Sequence, residues 1–138
     1  MKNNQLVKLH IPARADNLGL ARALVKRASE MAGCNTELTE KLVLAVNEAC
    51  MNVIQHAYKG NDGGEIILEI LNNEGSLLFR LQDHADPIEL DTVKPRDLED
   101  IRPGGLGTFF IREIMDDCKM GHLEDGAGNY LEMIKKIS

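Results

Sequence analysis

The 138-residue chain predicts an α+β two-layer sandwich, with three helices packed on one face of a mixed, mainly antiparallel sheet. Three observations predict it. The hydrophobic period switches between that of helices and that of strands in the order β-α-α-β-β-loop-α-β-β, which groups like elements instead of alternating them strictly. With 43% hydrophobic and 28% charged residues, the composition is that of an ordinary folded globule. The length suits one core and is too short for two, so residues 1–138 read as one domain.

Each element has its own signal. In "LVKLHI" (6–11), Val7, Leu9 and Ile11 share one side of a strand, Lys8 and His10 take the other, and Pro12 ends it. Residues 16–33 carry Leu18, Ala21, Val25, Ala28 and Met31 at helical spacing, with Asp16 or Asn17 available as N-cap and Gly33 as terminator. A second helix starts at the cap offered by Thr36-Glu37-Leu38-Thr39. It buries Leu38, Leu42, Ala45, Ala49 and Val53 and stops near the breaker cluster "KGNDGG" (59–64). "EIILEIL" (65–71) and "SLLFRLQD" (76–83) flank the hairpin turn "NNEG". Residues 84–103 form a long, polar, Pro-bearing stretch of the kind that is usually functional in a small domain. "GGLGTFFIREIMDD" (104–117) opens a third helix, and "CKMGHLE" and "NYLEMIKKI" close the chain as two short strands.

Composition also excludes functions. A formal net charge of −6 argues against a general nucleic-acid or anionic-membrane surface. No apolar run approaches the ~20 residues that cross a bilayer, and the N-terminus lacks a signal-peptide apolar stretch, so a cytoplasmic protein is expected. Cys34, Cys50 and Cys118 are odd in number, with no C-x-x-C pair. Buried free thiols in a reducing compartment fit better than disulfides or a cysteine zinc site.

Against this ordinary background three stretches stand out. In "LAVNEACMNVIQHAY" (44–58), Glu48, Asn52 and His56 recur every four residues, so a helix would place them in one row bordering its buried stripe. Such a row can be a solvated surface. It can also be chemical: a carboxylate suits a general base, and an Asn carbonyl one turn on suits Mg²⁺, which takes few protein ligands beside phosphate oxygens. Asp83 ends an apolar strand, where a carboxylate can be a plain loop acid or can accept from the exocyclic amine of adenine. The glycines in "RPGGLGTFFI" (102–111) can be a tight connection. Feeding a helix N-terminus, they are equally a phosphate cradle, although neither a Walker loop nor a Rossmann fingerprint. Across 83–102 seven acidic residues face three basic ones, a setting hostile to triphosphate unless Mg²⁺ and a nearby base such as Arg102 offset it.

Together, in this order, the stretches carry a resemblance. The chain resembles the anti-sigma-factor serine kinases of bacterial partner-switching systems, small members of the GHKL ATPase superfamily, over essentially its whole length. "NEACMNVIQHAY" is similar to the family's N box, "DHADPIEL" to its first glycine box and "GGLGTFFIREIMDD" to its second. The resemblance implies a Bergerat-type ATP site between helices and sheet, with residues 84–103 as the ATP lid. It implies Glu48 as the general base that helps a protein serine attack the γ-phosphate, Asn52 as the Mg²⁺ ligand and Asp83 as the partner of the adenine amine. The backbone of Gly104, Gly105, Leu106, Gly107 and Thr108 would hold phosphates, with Arg102 beside them, and Arg22 would be a partner-docking arginine on the first helix. His56 matches a frequent family position and is expected to serve structure at the helix end.

Two positions depart from the family. Ala85 stands where the first glycine box usually has Gly, and its methyl narrows the approach to adenine and restricts φ, which implies weakened or retuned binding. Tyr130 follows Gly128-Asn129 where many relatives have a small residue or Arg. The leading expectation is an ATP- and Mg²⁺-dependent protein serine kinase that binds a sigma factor and phosphorylates an anti-sigma-factor antagonist. Its competitor, favoured by Ala85 and the acidic lid, is a partner-binding module without phosphotransfer. The catalytic domain of a histidine kinase fits poorly, since no helix hairpin bearing a phosphoacceptor histidine is present. Dimerisation is common in the family, and the sequence displays no interface for it.

Overall fold

The computed structural model describes residues 5–57, 64–84, 111–123 and 128–137. Its sheet has five strands, β1 (Gln5–Pro12), β2 (Glu65–Asn73), β3 (Ser76–Asp83), β4 (Asp117–His122) and β5 (Asn129–Lys136), in the spatial order β1-β2-β3-β5-β4. All four pairings are antiparallel, in keeping with the mainly antiparallel sheet expected.

Two helices, α1 (Leu18–Met31) and α2 (Thr36–Asn52), pack on each other and touch the sheet. Small residues let them approach: Ala21, Ala28 and Ser29 on α1 are buried, as are Thr39, Ala45 and Ala49 on α2. The α1 stripe differs from expectation at its end. Met31 is 64% exposed and Ser29 is buried instead, because the buried face continues from Val25 by one full turn to Ser29 and ends there. A 3-10 turn, Ala15–Asn17, precedes α1, and Asn17 occupies the N-cap position without capping by its side chain. Its amide Nδ2 donates instead to the Pro12 carbonyl at 3.0 Å, tying the helix start to the end of β1. For α2 the cap is Asn35, one residue before the expected threonine; its Oδ1 accepts from the Leu38 N–H at 2.8 Å. Gly33 between the helices has φ 97°, the left-handed geometry that ends a helix and that a side chain would strain.

The second helix does not run on as α-helix to residue 59. It ends at Asn52 and continues as a π-helix over Val53–Ala57. With i→i+5 bonding the angular step per residue changes, so the four-residue α-helical spacing that carries Glu48 and Asn52 ends at Asn52.

Strand alternation builds the other half of the core. Leu77, Phe79 and Leu81 of β3 point to the helices and are at most 1% exposed, against Leu68 and Ile70 of β2 and Met133 of β5. The β2–β3 hairpin closes on Glu74 (φ 33°) and Gly75 (φ 86°) between the paired Asn73 and Ser76. Two positive φ values make this the turn whose twist matches the strands. Residues 111–114 are helical and bury Ile111 and Ile114, followed by buried Met115. Beyond them Asp116 fastens the chain to β5, its N–H donating to the Ile134 carbonyl at 2.8 Å and its Oδ2 accepting from the Lys136 N–H at 2.7 Å.

The expected set of buried thiols holds for Cys50 alone. Cys34 is half-buried in the α1–α2 connection, and Cys118 is exposed because it lies on β4, an edge strand. Burial pushes the Cys34 thiol up and the Cys50 thiol up to about 12. Two predictions follow from this architecture. In native protein near pH 8 a thiol reagent, followed residue by residue by mass spectrometry, should modify Cys118 first and Cys50 only on unfolding, since Cys50 keeps its proton across the neutral range. Secondly, a Cβ on Gly128 would collide with the Asp83 carbonyl across the β3–β5 pair. Gly128→Ala should therefore lower thermal stability by about 1–3 kcal/mol in a melting experiment, through strand displacement at that end of the sheet.

Candidate functional site

Glu48 and Asn52 lie one turn apart on α2, and both are half-buried at the margin of a stripe formed by Ala45, Ala49 and Cys50. Their shared edge is the polar border of a helix whose other face is fully packed. Among the described residues, Glu48 has no hydrogen-bond or ion-pair partner. A half-buried carboxylate left unpaired beside a core is available for chemistry on something that approaches it.

Asp83 comes from the sheet. Along β3, alternate residues Leu77, Phe79, Leu81 and Asp83 face the helices, so the carboxylate occupies the position where the next core hydrophobe would stand. It is 5% exposed. Burying a carboxylate is costly without partners. One is Asn129, directly opposite in the β3–β5 register, whose Nδ2 donates to Asp83 Oδ1 at 2.9 Å. Asn129 is itself 4% exposed. The sequence reading passed over Asn129, although its signal was present: along β5, Asn129 shares a side with Leu131 and Met133, a polar residue in register with core positions. Since α2 packs on β3, the helix carrying Glu48 and Asn52 and the strand carrying Asp83 belong to one helix–sheet layer contact.

Tyr130 has a structural explanation. Its ring lies across Gly121 of β4, where any Cβ would come within 2.9 Å of it, and the Arg80 guanidinium stacks over the ring at 5.2 Å from the centroid. Arg80 also pairs with Glu132, 3.5 Å away, the residue opposite it on β5. Tyr130 thus fills a glycine gap on the sheet face away from the helices, and Asn129, beside it, points to the opposite side.

Arg22 is exposed on α1 and held by α2, its guanidinium donating to Asn47 Oδ1 at 3.1 Å. Asn47 in turn contacts the Met51 sulfur at 3.6 Å, so the arginine is oriented by the helix that bears Glu48. Among the expected site residues, Ala85, Arg102, Gly104, Gly105, Leu106, Gly107 and Thr108 lie outside the described residues, as does nearly all of the 84–103 stretch; the side chain of His56 does as well.

The donor set fits a magnesium ion brought in by a nucleotide. Among the described residues no three His, Cys, Asp or Glu side chains converge as a protein-built metal cage. A half-buried Asn near an open carboxylate offers the single neutral oxygen that a largely hydrated, phosphate-bound Mg²⁺ accepts.

Comparison with known proteins gives this arrangement its context. The model of the histidine kinase-like ATPase domain matches residues 11–135. The serine-protein kinase RsbW of Listeria monocytogenes serotype 4a is 37% identical over 122 residues, covering 83% of this chain and 78% of its own. The RsbW of Bacillus subtilis is 30% identical over 130 residues, covering 87% and 81%. Among solved structures, the SiaB–SiaC complex of Pseudomonas aeruginosa superposes with a TM-score of 0.71 at 12% identity, covering 96% of this chain and 90% of that one. The RsbU and RsbW domains of Rv1364c from Mycobacterium tuberculosis give 0.64 at 16% identity, covering 94% of this chain and 32% of that one. At such identities the two superpositions establish the fold alone. The family match over nearly the whole chain and the RsbW identities go further: the chain belongs to the histidine kinase-like ATPase family, among the serine-protein kinases of the RsbW type.

Proposed function

We propose that the protein is an ATP-dependent protein serine kinase and anti-sigma factor, which binds a sigma factor and phosphorylates a serine of the sigma factor's antagonist in the cytoplasm. The observation that carries this reading is the unpaired, half-buried Glu48 one turn before Asn52, on the helix that packs against the strand ending in buried Asp83. RsbW relatives bear the name serine-protein kinase, and the family is one of kinase-like ATPase domains.

In the proposed mechanism each group has one task. Asp83 accepts a hydrogen bond from the adenine amine and would repel the carbonyl of guanine, which sets base preference. Ala85 adjoins the base and narrows its approach. The backbone N–H groups of residues 104–108, together with Arg102, hold the phosphates at the mouth of the third helix, where the helix dipole favours negative charge. Asn52 would hold a Mg²⁺ ion through its side-chain oxygen, and such an ion would supply charge neutralisation at the phosphates. Glu48 takes the proton of the antagonist's serine hydroxyl as its oxygen attacks the γ-phosphorus and the bond to ADP breaks. Residues 84–103 act as a lid that covers the nucleotide and keeps water from competing with the serine. Arg22, exposed and oriented by Asn47, docks the protein partner.

A second reading is a switch that sequesters partners without phosphotransfer. Ala85 and the seven acidic residues across 83–102 favour it, since both weaken the hold on triphosphate. Titration with Mg-ATP and the antagonist separates the two: binding without phosphoserine supports the switch.

Two outcomes check the kinase reading. Wild-type protein mixed with Mg-ATP and the antagonist should yield phosphoserine, and Glu48→Gln should slow transfer by about 10²–10⁴-fold with ATP affinity nearly unchanged. Transfer at the wild-type rate in Glu48→Gln would remove that residue from the mechanism. For Arg22→Ala, partner affinity measured by calorimetry should fall about ten- to a hundredfold while ATP binding holds steady, as expected for an arginine anchor in an interface.

A further inference from the structure

A groove lies along the seam between α1 and α2, on residues that take no part in the proposed phosphotransfer. Lys26 and Glu30 come to it from α1, Thr39, Glu40 and Val43 from α2, and Cys34 from the connection between the helices. Its volume is about 380 Å³, the size of a small-molecule site.

One group in it is out of keeping with a purely structural seam. Thr39 is 3% exposed, and its Oγ1 has no hydrogen-bond partner among the described residues. Buried hydroxyls are ordinarily paired, and leaving one unpaired is costly. A polar molecule in the groove would supply the partner. The thiol that shares the groove is presented by a fixed backbone: the Cys34 N–H donates to the Ser29 carbonyl at 3.0 Å, closing α1, and the next residue, Asn35, caps α2. Cys34 is half-buried, and burial pushes its thiol up, so a reagent arriving from bulk water meets mainly the unreactive protonated form. A reagent held in the groove gains by proximity instead. The charges select which reagent is held. Lys26 is a cation, Glu30 and Glu40 are anions, and Arg27 pairs with Glu30 at 3.7 Å. Both signs around one small groove suit a zwitterion better than a plain amine or a plain acid.

We propose that the α1–α2 groove is a site of reversible thiol modification, in which Cys34 forms a mixed disulfide with a zwitterionic low-molecular-weight thiol delivered as its own disulfide. The carboxylate of the reagent is held by Lys26, its ammonium by Glu30 and Glu40, and the Thr39 hydroxyl pairs with the same head group. Cys34 gives up its proton and its sulfur attacks one sulfur of the reagent. The reagent's S–S bond breaks as the new one forms, and the departing thiolate takes up a proton. The protein sulfur is oxidised, the departing half is reduced, and an external thiol reverses the exchange.

The test compares three disulfides on the full chain: cystine, which carries both charges, cystamine, which lacks the carboxylate, and dithiodipropionate, which lacks the ammonium. Mass spectrometry follows modification residue by residue. Each rate at Cys34 in the native protein is divided by that of the same disulfide at Cys34 in the urea-unfolded chain, which cancels the reagent's own reactivity. Cystine should exceed each of the others in this ratio by about tenfold, the worth of one hydrogen bond to a charged group. An uncharged alkylating reagent gains nothing from the groove and still meets the exposed Cys118 first.

Thr39→Val should lower the cystine ratio by about three- to tenfold with no loss of melting temperature, because it removes an unpaired hydroxyl. Lys26→Met should bring cystine down to the level of cystamine, and dithiothreitol should return Cys34 to the thiol. Should Thr39→Val fold poorly, Lys26→Met and Glu40→Gln, both at exposed positions, read the same ratio. Equal ratios for the three disulfides would mark an ordinary half-buried thiol and overturn the assignment. A cystine ratio left unmoved in any folded variant of Lys26, Thr39 or Glu40 overturns it as well.

Discussion

Strand β3 is paired on both sides, with β2 along one edge and β5 along the other, and the remainder of the domain depends on that double pairing. A strand in this position has every backbone hydrogen bond committed and cannot slip by one residue without turning Leu77, Phe79 and Leu81 out of the core. Register that strict extends to the end of the strand, where the same alternation delivers Asp83 into the interior. The cost of burying that carboxylate is met from the neighbouring strand by Asn129. Core packing and the placement of a buried acid thus come from one periodicity.

The helix layer obeys a parallel logic. α2 must bury a stripe against α1 and the sheet, and it does so with Leu42, Ala45, Val46, Ala49 and Cys50. The margin of that stripe is where a residue is partly desolvated without being sealed, and Glu48 and Asn52 occupy it. Full burial would force such a carboxylate to find a protein partner, and full exposure would leave it hydrated and weakly interacting. The π-helical turn that follows, Val53–Ala57, ends the α-helical row after Asn52 and so confines the pair to two residues.

Much of the proposed site stands out in the amino-acid order because its residues break a local pattern. Glu48 and Asn52 interrupt an apolar helix at four-residue spacing, and Asp83 ends the series Leu77, Phe79, Leu81. Asn129 breaks its pattern too, but a single polar residue at the beginning of a short strand is common, and its importance arises only from the residue opposite. Tyr130 was opaque for a similar reason: its ring answers a gap at Gly121 on another strand. Both helix starts were legible, but the α2 cap was read one residue late, because Asn35 and Thr36 have similar capping ability and the choice is made by what each side chain reaches.

By itself, then, the sequence determined the fold class, the order of elements, the hairpin turn at Glu74-Gly75 and the helix and strand faces that meet in the core. These are consequences of local periodicity and of backbone freedom at particular residues, and they need no knowledge of distant partners. Only the tertiary structure decided the strand order β1-β2-β3-β5-β4, the pairing of Asp83 with Asn129, the exposure of Cys118 on an edge strand and the tether of Arg22 to Asn47. Each of these joins residues from separate elements. Hydrogen bonds and exposure of that kind are set by how the layers pack, and no local pattern along the chain encodes them.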